Sequence, residues 1–376
     1  MKTMIYDTSI DGHHLEYINH LHNYIAEFHK EGEYVFVIPQ KFQELKSNYE
    51  WNISNNISFI FIPDEQLNSI NCVNQFKLCF QNCRLLYNFQ KKIKCNEIIL
   101  INLAIFIPLL PLFISSKIKI NGIIYKIYLY EKQSFLKYII DKFRYLVLSR
   151  CKVFQNIFIL NDKKGTHQLN RLYKTSKFKY LPDPVPKKKE IINNDFRKDY
   201  HIPEDQIIFL HFGSLEKRKG TIRLLKAISL LPNDFKGTFI FAGKLTPDIK
   251  EEYLHLINIL NKTGKNIISI NEFVSEELMH TLYYTADCII IPYIETSQSS
   301  GVIGYAALYN KPIIGSSAGL IGNLISEYSL GITISSDNLE DIYREIMNFS
   351  PYFTQNDYVI SHSVNDFAKE LLNWKK

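Results

Sequence analysis

The chain is 376 residues long, which is more than one hydrophobic core usually serves, so two domains are expected. Apolar residues make up 46% of the chain and charged residues 22%, which excludes collagen-like, coiled-coil and fully disordered proteins. The formal net charge of +6 is unevenly spread, because residues 84–152 hold 13 Lys and Arg but only 3 Asp and Glu.

The first half of the chain alternates predicted strands with predicted helices. Strands are expected at residues 4–7, 34–39, 57–62, 122–130 and 153–160, and helices at residues 15–29, 66–89, 134–148 and 165–173. This alternation is typical of a parallel α/β sheet.

The most apolar segment, residues 98–114, is nearly long enough for a transmembrane helix. Pro108 and Pro111 would break such a helix, however, and Asn102 is polar. Since an Ile-rich run is also typical of a strand buried on both faces, we predict that this segment belongs to the core.

A domain boundary is predicted near residue 183, where residues 180–186 (YLPDPVP) stiffen the chain and polar residues follow. The alternation then restarts, with strands expected at 207–212, 238–242, 267–270 and 288–292, helices at 221–230, 247–260 and 275–284, and a last helix at 364–374. The sequence therefore predicts an α/β protein with domains 1–183 and 184–355, braced by a C-terminal segment, 356–376.

The turn after the strand at 207–212 has the sequence HFGSLEKRKG and is a candidate phosphate site. Gly213 lets the backbone approach a ligand, while Lys217, Arg218 and Lys219 place positive charge beside the next helix N-terminus, where a diphosphate can bind. A solvated turn remains the alternative, because the GxxxxGK[ST] phosphate loop is absent.

A serine-rich loop follows the strand that ends at Pro292 and leads into a helix near Ser300. The amides of Ser299, Ser300 and Gly301 would point at an anion, and the hydroxyl groups would add donors. The alternative is an ordinary helix capped by serine.

Together these segments resemble the donor-binding domain of family 4 glycosyltransferases of the GT-B fold. The resemblance covers residues 207–334 and keeps the family's motif order. The glycine turn ends in Lys-Gly and is followed by FAGKL at 241–245, NEFVSEEL at 271–278, ADCIIIP at 286–292, the loop bearing Glu295, and KPIIG at 311–315. The resemblance implies two Rossmann-like α/β domains facing a cleft, with the acceptor bound by the N-terminal domain and the nucleotide sugar by the C-terminal domain.

The resemblance also implies roles for individual residues. It assigns Lys219 and Arg218 to the donor diphosphate and Glu295 to the sugar hydroxyls. The remaining implied contacts with the donor or its distal phosphate are Gly213, Ser214, Glu272, Phe273, Ser299, Ser300, Gly301, Val302 and Tyr305. The first half matches the family only in layout, with Gly12 at its glycine loop. His13 or His14, which follow Gly12, could touch the acceptor.

Two positions depart from the family pattern. Ser214 stands where the family usually has Arg, a loss for which Lys217 or Arg218 could compensate. Tyr305 stands where the family has the second of two glutamates, and Glu295 lies two positions before the place of the first. The carboxylate that binds the ribose in the family is therefore missing here.

No metal ion or cofactor is expected, and the nucleotide sugar is a co-substrate. Histidines crowd positions 13, 14, 20, 22 and 29, but HExxH spacing is absent, and no Asp-x-Asp pair is present to hold a divalent ion. The basic segment at 134–152 is predicted either to lie on an anionic membrane or to pack as an ordinary amphipathic helix. Nucleic acid is not an expected partner, because the basic residues do not surround an aromatic platform.

With this resemblance, the sequence predicts a metal-independent hexosyltransferase that moves a sugar from a nucleotide diphosphate to a glycan or lipid-linked acceptor in surface polysaccharide synthesis. The resemblance implies that the anomeric configuration is retained. The six cysteines include no CxxC pair, and the first residues lack the apolar core of a signal peptide, so the cytoplasm, with peripheral attachment to the inner membrane face, is expected. The alternatives are a GT-B sugar-nucleotide epimerase, which needs no basic acceptor surface, and a catalytically silent binding subunit, suggested by Ser214 and Tyr305.

Overall fold

The computed structural model describes residues 2–10, 13–70, 74–131, 133–189, 191 and 196–372. The chain divides into two compact units. The first unit consists of Met1–Pro182 together with Val364–Lys376, and the second consists of Asp183–Ser363.

The first unit contains a parallel sheet with the strand order β3-β2-β1-β4-β5-β6-β7 in its described part. The strands are β1 (Lys2–Tyr6), β2 (Glu33–Pro39), β3 (Ile57–Ile62), β4 (Glu97–Leu100), β5 (Lys119–Ile124), β6 (Phe154–Leu160) and β7 (Phe178–Leu181). The helices are α1 (His14–Phe28), α2 (Phe42–Leu45), α3 (Asp64–Asn68), α4 (Gln75–Ile93), α5 (Leu110–Phe113), α6 (Phe135–Arg150) and α7 (Lys163–Tyr173). Because the strand order reverses between β1 and β4, a crevice is expected at their carboxyl ends.

The second unit repeats this plan with the strand order β10-β9-β8-β11-β12-β13, again parallel. Its strands are β8 (Ile207–Phe212), β9 (Gly237–Ala242), β10 (Asn266–Ile270), β11 (Cys288–Ile291), β12 (Ile313–Ser316) and β13 (Gly331–Ile334). Its helices are α8 (Phe196–Asp199), α9 (Thr221–Ser229), α10 (Lys250–Lys262), α11 (Glu276–Thr285), α12 (Gly301–Leu308), α13 (Gly319–Glu327), α14 (Leu339–Met347) and α15 (Tyr358–Ser361). Here the order reverses between β8 and β11.

The last helix, α16 (Val364–Leu372), packs on the first unit. Phe367 and Leu371 are fully buried in the same core cluster as Tyr17 and Ile18 of α1. The rings of Phe367 and Tyr17 are 4.7 Å apart. Burial of this apolar stripe explains why the end of the chain returns to the unit formed by its beginning.

The apolar segment at 98–114 lies in the core. Its first residues form β4, in which every side chain is buried, and Pro111 lies in the first turn of the short helix α5. Such an uninterrupted apolar run is what a central parallel strand requires. Within the described ranges, no helix is long and apolar enough to cross a membrane.

Three differences from the predicted elements of the first unit have a local physical reason. The single helix expected at 66–89 is instead α3 and α4, because the Asn74 side chain accepts the amides of Phe76 and Lys77 and so starts a new helix. The strand expected at 122–130 is β5, which ends at Ile124, and residues 128–130 form a 3-10 turn. Strand β7 was not predicted, since its short apolar sequence runs directly into Pro182 and the proline-rich segment.

Candidate functional site

Two loops leave the second sheet at the point where its strand order reverses. The glycine turn, residues 213–220, follows β8, and the serine loop, residues 292–300, follows the neighbouring strand β11. In parallel α/β sheets, ligands bind in the crevice beyond the carboxyl ends of such a pair of strands. Both segments that the sequence predicted to bind anions therefore lie at one crevice.

The glycine turn and the serine loop are joined through their backbones. The amides of Ile294 and Glu295 both donate to the carbonyl of Arg218, at 2.8 and 3.2 Å. Gly220 has φ 72°, and a Cβ at this position would overlap the carbonyl of Pro292. Glycine is therefore required at position 220 both for the backbone conformation and for the close approach of the two loops.

Lys219 supplies a buried positive charge at this crevice. Its side chain is 8% exposed, and its Nζ lies 5.7 Å from the ring centroid of Tyr293. Gly213 has φ 98°, and a Cβ on it would contact this Nζ atom. No carboxylate in the described part of the chain lies within ion-pair distance of Lys219. A buried cation without a counter-ion is a favourable partner for an anionic ligand.

His211 lies close to Lys219 and is a site residue that the sequence analysis missed. One ring nitrogen, Nδ1, lies 2.9 Å from the carbonyl oxygen of Ile290, and Nε2 lies 3.1 Å from Oγ1 of Thr221. Burial lowers the pKa of His211 to about 4; the hydrogen bond to Ile290 opposes this effect, and the charge of Lys219 adds to it. The ring is therefore neutral at pH 7, and Nδ1 donates to Ile290.

The other predicted cations of the glycine turn are placed differently from Lys219. Arg218 forms an ion pair with Glu216, with 2.7 Å between Nη2 and Oε1. Lys217 and Ser214 are exposed. Of the three predicted cations, Lys219 is therefore the one that is buried and has no ion-pair partner in the described part of the chain. Arg218 instead joins the two loops through its carbonyl oxygen.

The serine loop presents backbone amides rather than free hydroxyl groups. The hydroxyl of Ser299 donates to Asp183 over 2.7 Å, and that of Ser300 lies 3.3 Å from the hydroxyl of Tyr293. Helix α12 begins at Gly301 without a side-chain cap. Among the described residues, the amides of Gly301 and Val302 have no hydrogen-bond acceptor, as is usual for the first turn of a helix.

Tyr305 belongs to an aromatic cluster between α11 and α12. Its ring lies 5.3 Å from Tyr283, with the planes 27° apart, and 5.6 Å from His280 in an edge-on arrangement. Tyr309 closes the cluster, because its hydroxyl lies 2.6 Å from Nδ1 of His280. A large aromatic side chain therefore occupies the position where the family has its second glutamate.

The position of the family's first glutamate, eight residues before Tyr305, is occupied by Ser297. Its side chain is buried, and its hydroxyl has no hydrogen-bond partner among the described residues. Glu295, two positions earlier, is half-buried. Glu295 is the carboxylate that this loop carries.

The turns after β9 and β10 lie beside the glycine turn. A Cβ on Gly243 would overlap the carbonyl of Gly213, and the side chain of Asn271 accepts the amide of Leu245 at 2.8 Å. Glu272 and Phe273 follow Asn271 and are exposed, with 91% of the Phe273 side chain accessible. An aromatic face is therefore available along the same edge of the sheet.

Comparisons with known proteins agree with this arrangement. Residues 206–350 match the family model described as Glycosyl transferases group 1. An uncharacterised glycosyltransferase from Methanocaldococcus jannaschii is 23% identical over 190 residues, which cover 48% of this chain and 47% of that protein. The aligned part of the chain thus spans about half the length of this curated relative.

Solved structures align over nearly the whole chain. WaaG, a glycosyltransferase involved in lipopolysaccharide biosynthesis, is 15% identical with a TM-score of 0.65, over 100% of this chain and 96% of WaaG. Anabaena HepE in complex with UDP and glucose is 13% identical with a TM-score of 0.64, over 98% of this chain and 95% of HepE. The N-terminal domain of Candida albicans trehalose-6-phosphate phosphatase is 12% identical with a TM-score of 0.73. The alignment covers 100% of this chain and 97% of that domain.

The fold is GT-B. The predicted fold class is confirmed, and the glycine turn and serine loop of this GT-B protein fall within the part that matches group 1 glycosyl transferases. The roles that the resemblance assigns to individual residues of these loops stay predictions.

The first unit of this GT-B protein carries the residues predicted to touch an acceptor. His14 begins α1, and its Nδ1 lies 2.7 Å from Oδ2 of the buried Asp7, which follows β1. Burial raises the pKa of Asp7, and the hydrogen bond and charge of His14 oppose that rise. His13 lies 3.2 Å from Glu16 instead. Gly12 lies outside the described residues.

The histidines near the start of the chain show no metal centre in the described residues. His13 and His20 lie within ion-pair distance of Glu16, and His22 packs against Trp51 with ring centroids 4.9 Å apart. No three His, Cys, Asp or Glu side chains of the described ranges form a group that could hold a metal ion.

Helix α6 presents an apolar face to solvent. Its buried side chains are Asp141, Tyr145, Leu148 and Ser149. Its exposed large apolar side chains are Phe135, Leu136, Tyr138, Ile139, Ile140, Phe143 and Leu146. The sequence allowed this segment to be an ordinary amphipathic helix with its apolar face packed on the sheet. That alternative is wrong for the exposed apolar side chains, which do not pack on the sheet. The exposed face also carries Lys137 and Lys142, so it is both apolar and basic.

Proposed function

We propose that this protein is a family 4 glycosyltransferase that moves a sugar from a nucleotide diphosphate to a glycan or lipid-linked acceptor. The observation that carries the proposal is the uncompensated charge of the buried Lys219 side chain near the ring of Tyr293, whose hydroxyl lies 3.3 Å from that of Ser300 at the start of α12. The retaining outcome rests on the resemblance of residues 207–334 to family 4. We place the activity in surface polysaccharide synthesis, because WaaG is named for lipopolysaccharide biosynthesis.

Binding of the donor diphosphate would use positive charge from the protein alone. The Lys219 ammonium and the amides of Gly301 and Val302 would hold the phosphates, as helix N-termini commonly do. Negative charge grows on the diphosphate as the sugar leaves. Donors fixed in a site of low dielectric therefore stabilise the transition state more than the bound donor and lower the barrier. This arrangement requires no metal ion.

The base and the sugar of the donor would contact residues at the same edge of the second sheet. We assign the base to the exposed face of Phe273 and the sugar hydroxyls to Glu295, with Tyr305 and Glu272 beside them. Structures of HepE contain UDP with glucose, or UDP-glucose, which supports a UDP-sugar as the first donor to test. A Tyr in place of the second glutamate would replace paired hydrogen bonds with packing.

On the acceptor side, we propose that His14 contacts the acceptor hydroxyl. Because Nδ1 lies 2.7 Å from Oδ2 of Asp7, Nε2 is the ring nitrogen left to contact that hydroxyl. The apolar and basic face of α6 suits the surface of an anionic membrane, where a lipid-linked acceptor would be found. We therefore place the protein at the cytoplasmic face of a membrane.

The direct test is incubation with a panel of nucleotide sugars and acceptors, with release of nucleoside diphosphate as the readout. Sustained release with a glycosylated product is expected for a transferase. An epimerase would give an isomer without sustained release, and a silent binding subunit would give neither.

A matched pair of variants connects this activity to the site. Lys219→Met keeps an unbranched side chain one atom shorter but removes the charge, and should lower turnover by about tenfold or more. The exposed neighbour provides the control, since Lys217→Met should leave turnover close to wild type. Equal turnover in wild type and Lys219→Met would contradict the assignment.

A further inference from the structure

A second basic cavity lies at the opposite edge of the second sheet. It has a volume of about 500 Å3 and is lined by residues that precede β8, β11 and β12, together with the end of α11 and helix α8. Because these strands are parallel, their amino ends face away from the crevice of the glycine turn and serine loop. The cavity is therefore separate from the proposed donor site, and its volume is in the range of small-molecule sites.

Positive charge dominates the walls of this cavity. Its cationic side chains are Lys188, Arg197, Lys198 and Lys311, and its carboxylates are Glu204 and Asp287. Asp287 is already engaged, because its Oδ2 accepts from the amide of Ile208 at 2.8 Å and from Arg197 at 3.3 Å. An excess of two positive charges matches the charge of a phosphate monoester, which is about −1.5 to −2 at pH 7.

Lys311 is the central group of the cavity. Its side chain is 9% exposed, and its ammonium group forms no hydrogen bond or ion pair with any residue in the described part of the chain. It lies 5.4 Å from the ring of Phe353 and 6.0 Å from that of Tyr284. The ammonium group therefore faces the cavity without a counter-ion, while most of its side chain is buried.

A second ammonium group adds to the positive charge of the cavity. Lys188 lies 5.0 Å from the ring of Tyr309, which also lines the cavity. Burial lowers the pKa of Lys311; Asp287 opposes this effect, and the charge of Lys188 adds to it. The two lysines are thus near enough to repel each other, and an anion between them would remove that repulsion.

We propose that this cavity binds the phosphate group of a small phosphorylated molecule, held by Lys311 and Lys188. The exposed rings of Tyr284 and Phe353 would cover the organic part of the ligand. This site does not depend on the proposed glycosyltransferase activity, because it uses none of the residues assigned to the donor or acceptor.

Isothermal titration with inorganic phosphate and with glucose 6-phosphate tests the proposal, with unphosphorylated glucose as the ligand control. Saturable binding of a phosphate-bearing probe is expected for the wild type. Lys311→Met should weaken that binding by about tenfold or more, because it removes a buried charge-assisted contact. Lys188→Met changes an exposed side chain and should also weaken binding.

Two lysines outside the cavity provide matched controls. Lys236→Met removes an exposed lysine that pairs with Asp205, and Lys219→Met removes the cation of the proposed donor site. Lys236→Met should bind the probes as wild type does, and Lys219→Met should keep the binding that Lys311→Met weakens. The proposal is overturned if neither probe binds the wild type, if Lys188→Met and Lys311→Met bind normally, or if Lys219→Met abolishes binding.

Discussion

At the scale of residues, Lys219 and His211 together form the buried part of the crevice, although only Lys219 stands out in the sequence. The Lys-Arg-Lys run predicted positive charge at the glycine turn. It could not predict which cation is buried, because that depends on how a 3-10 turn directs each side chain and on the ion pair between Arg218 and Glu216. A single histidine in an apolar strand resembles a core residue, so the link from His211 to Lys219 needed the tertiary structure.

The first prediction concerns the titration of His211. Its pKa of about 4 should be visible by NMR, and Lys219→Met should raise it, because a neighbouring positive charge that disfavours protonation is removed. Lys217→Met is the control and should leave the titration unchanged. If the pKa of His211 does not move in Lys219→Met, the two groups do not interact as described.

The second prediction concerns the effect of His211 on how the stability of the protein depends on pH. The folded pKa of His211 lies below the ordinary value of 6.5, so the unfolded chain binds a proton more readily. The contribution of His211 to stability is therefore present above pH 6.5 and is lost as the pH falls from 6.5 through 4. Urea unfolding across this range should show a smaller decrease for His211→Asn than for wild type, and an equal decrease would contradict the assignment.

The third prediction compares Glu295, two positions before the place of the family's first glutamate, with Tyr305, which stands in place of the second. Glu295→Gln should lower transfer by about tenfold, because a carboxylate that accepts sugar hydroxyl groups becomes an amide. Tyr305→Phe should have a milder effect, because the ring that packs on Tyr283 and His280 is kept. Steady-state kinetics with the active donor provide the measurement. Unchanged transfer in Glu295→Gln would remove this residue from the site.

At the scale of elements, hydrophobic periodicity and turn residues predicted most strands of both sheets to within a few residues. Central strands such as β4 and β9 are buried along their whole length, and their apolar runs are distinctive. The helix expected at 66–89 is wrong because local capping decides the outcome there. Asn74 starts α4 inside a stretch whose apolar pattern continues across the break, so periodicity alone could not place that boundary.

The fourth prediction concerns α6. Its exposed apolar and basic face should bind vesicles that contain anionic phospholipid at low salt and be released at high salt. Leu136→Ser combined with Phe143→Ser should reduce binding, since these side chains are 69% and 54% exposed and would enter the interface.

Leu254→Ser is the matched control for this experiment, because Leu254 is 51% exposed on α10 of the second unit. It should bind vesicles as wild type does. Cosedimentation gives the measurement, and equal binding to neutral and anionic vesicles would contradict the electrostatic part of the proposal.

At the scale of the whole molecule, two parallel sheets with reversed strand order provide one crevice each. The alternation of strands and helices in the sequence was enough to predict this architecture, and the GT-B relatives confirm it. The return of α16 to the first unit depends on contacts between residues more than 300 positions apart, such as Tyr17 and Phe367, which no local pattern encodes.

The central claim is that Lys219 binds the phosphates of a nucleotide donor. Calorimetric titration with UDP and with GDP of wild type, Lys219→Met and Lys217→Met tests it most directly. We predict that wild type and Lys217→Met bind one of these nucleotides with similar affinity and that Lys219→Met binds it about tenfold more weakly. Binding of that nucleotide by Lys219→Met with the affinity of wild type would contradict the claim.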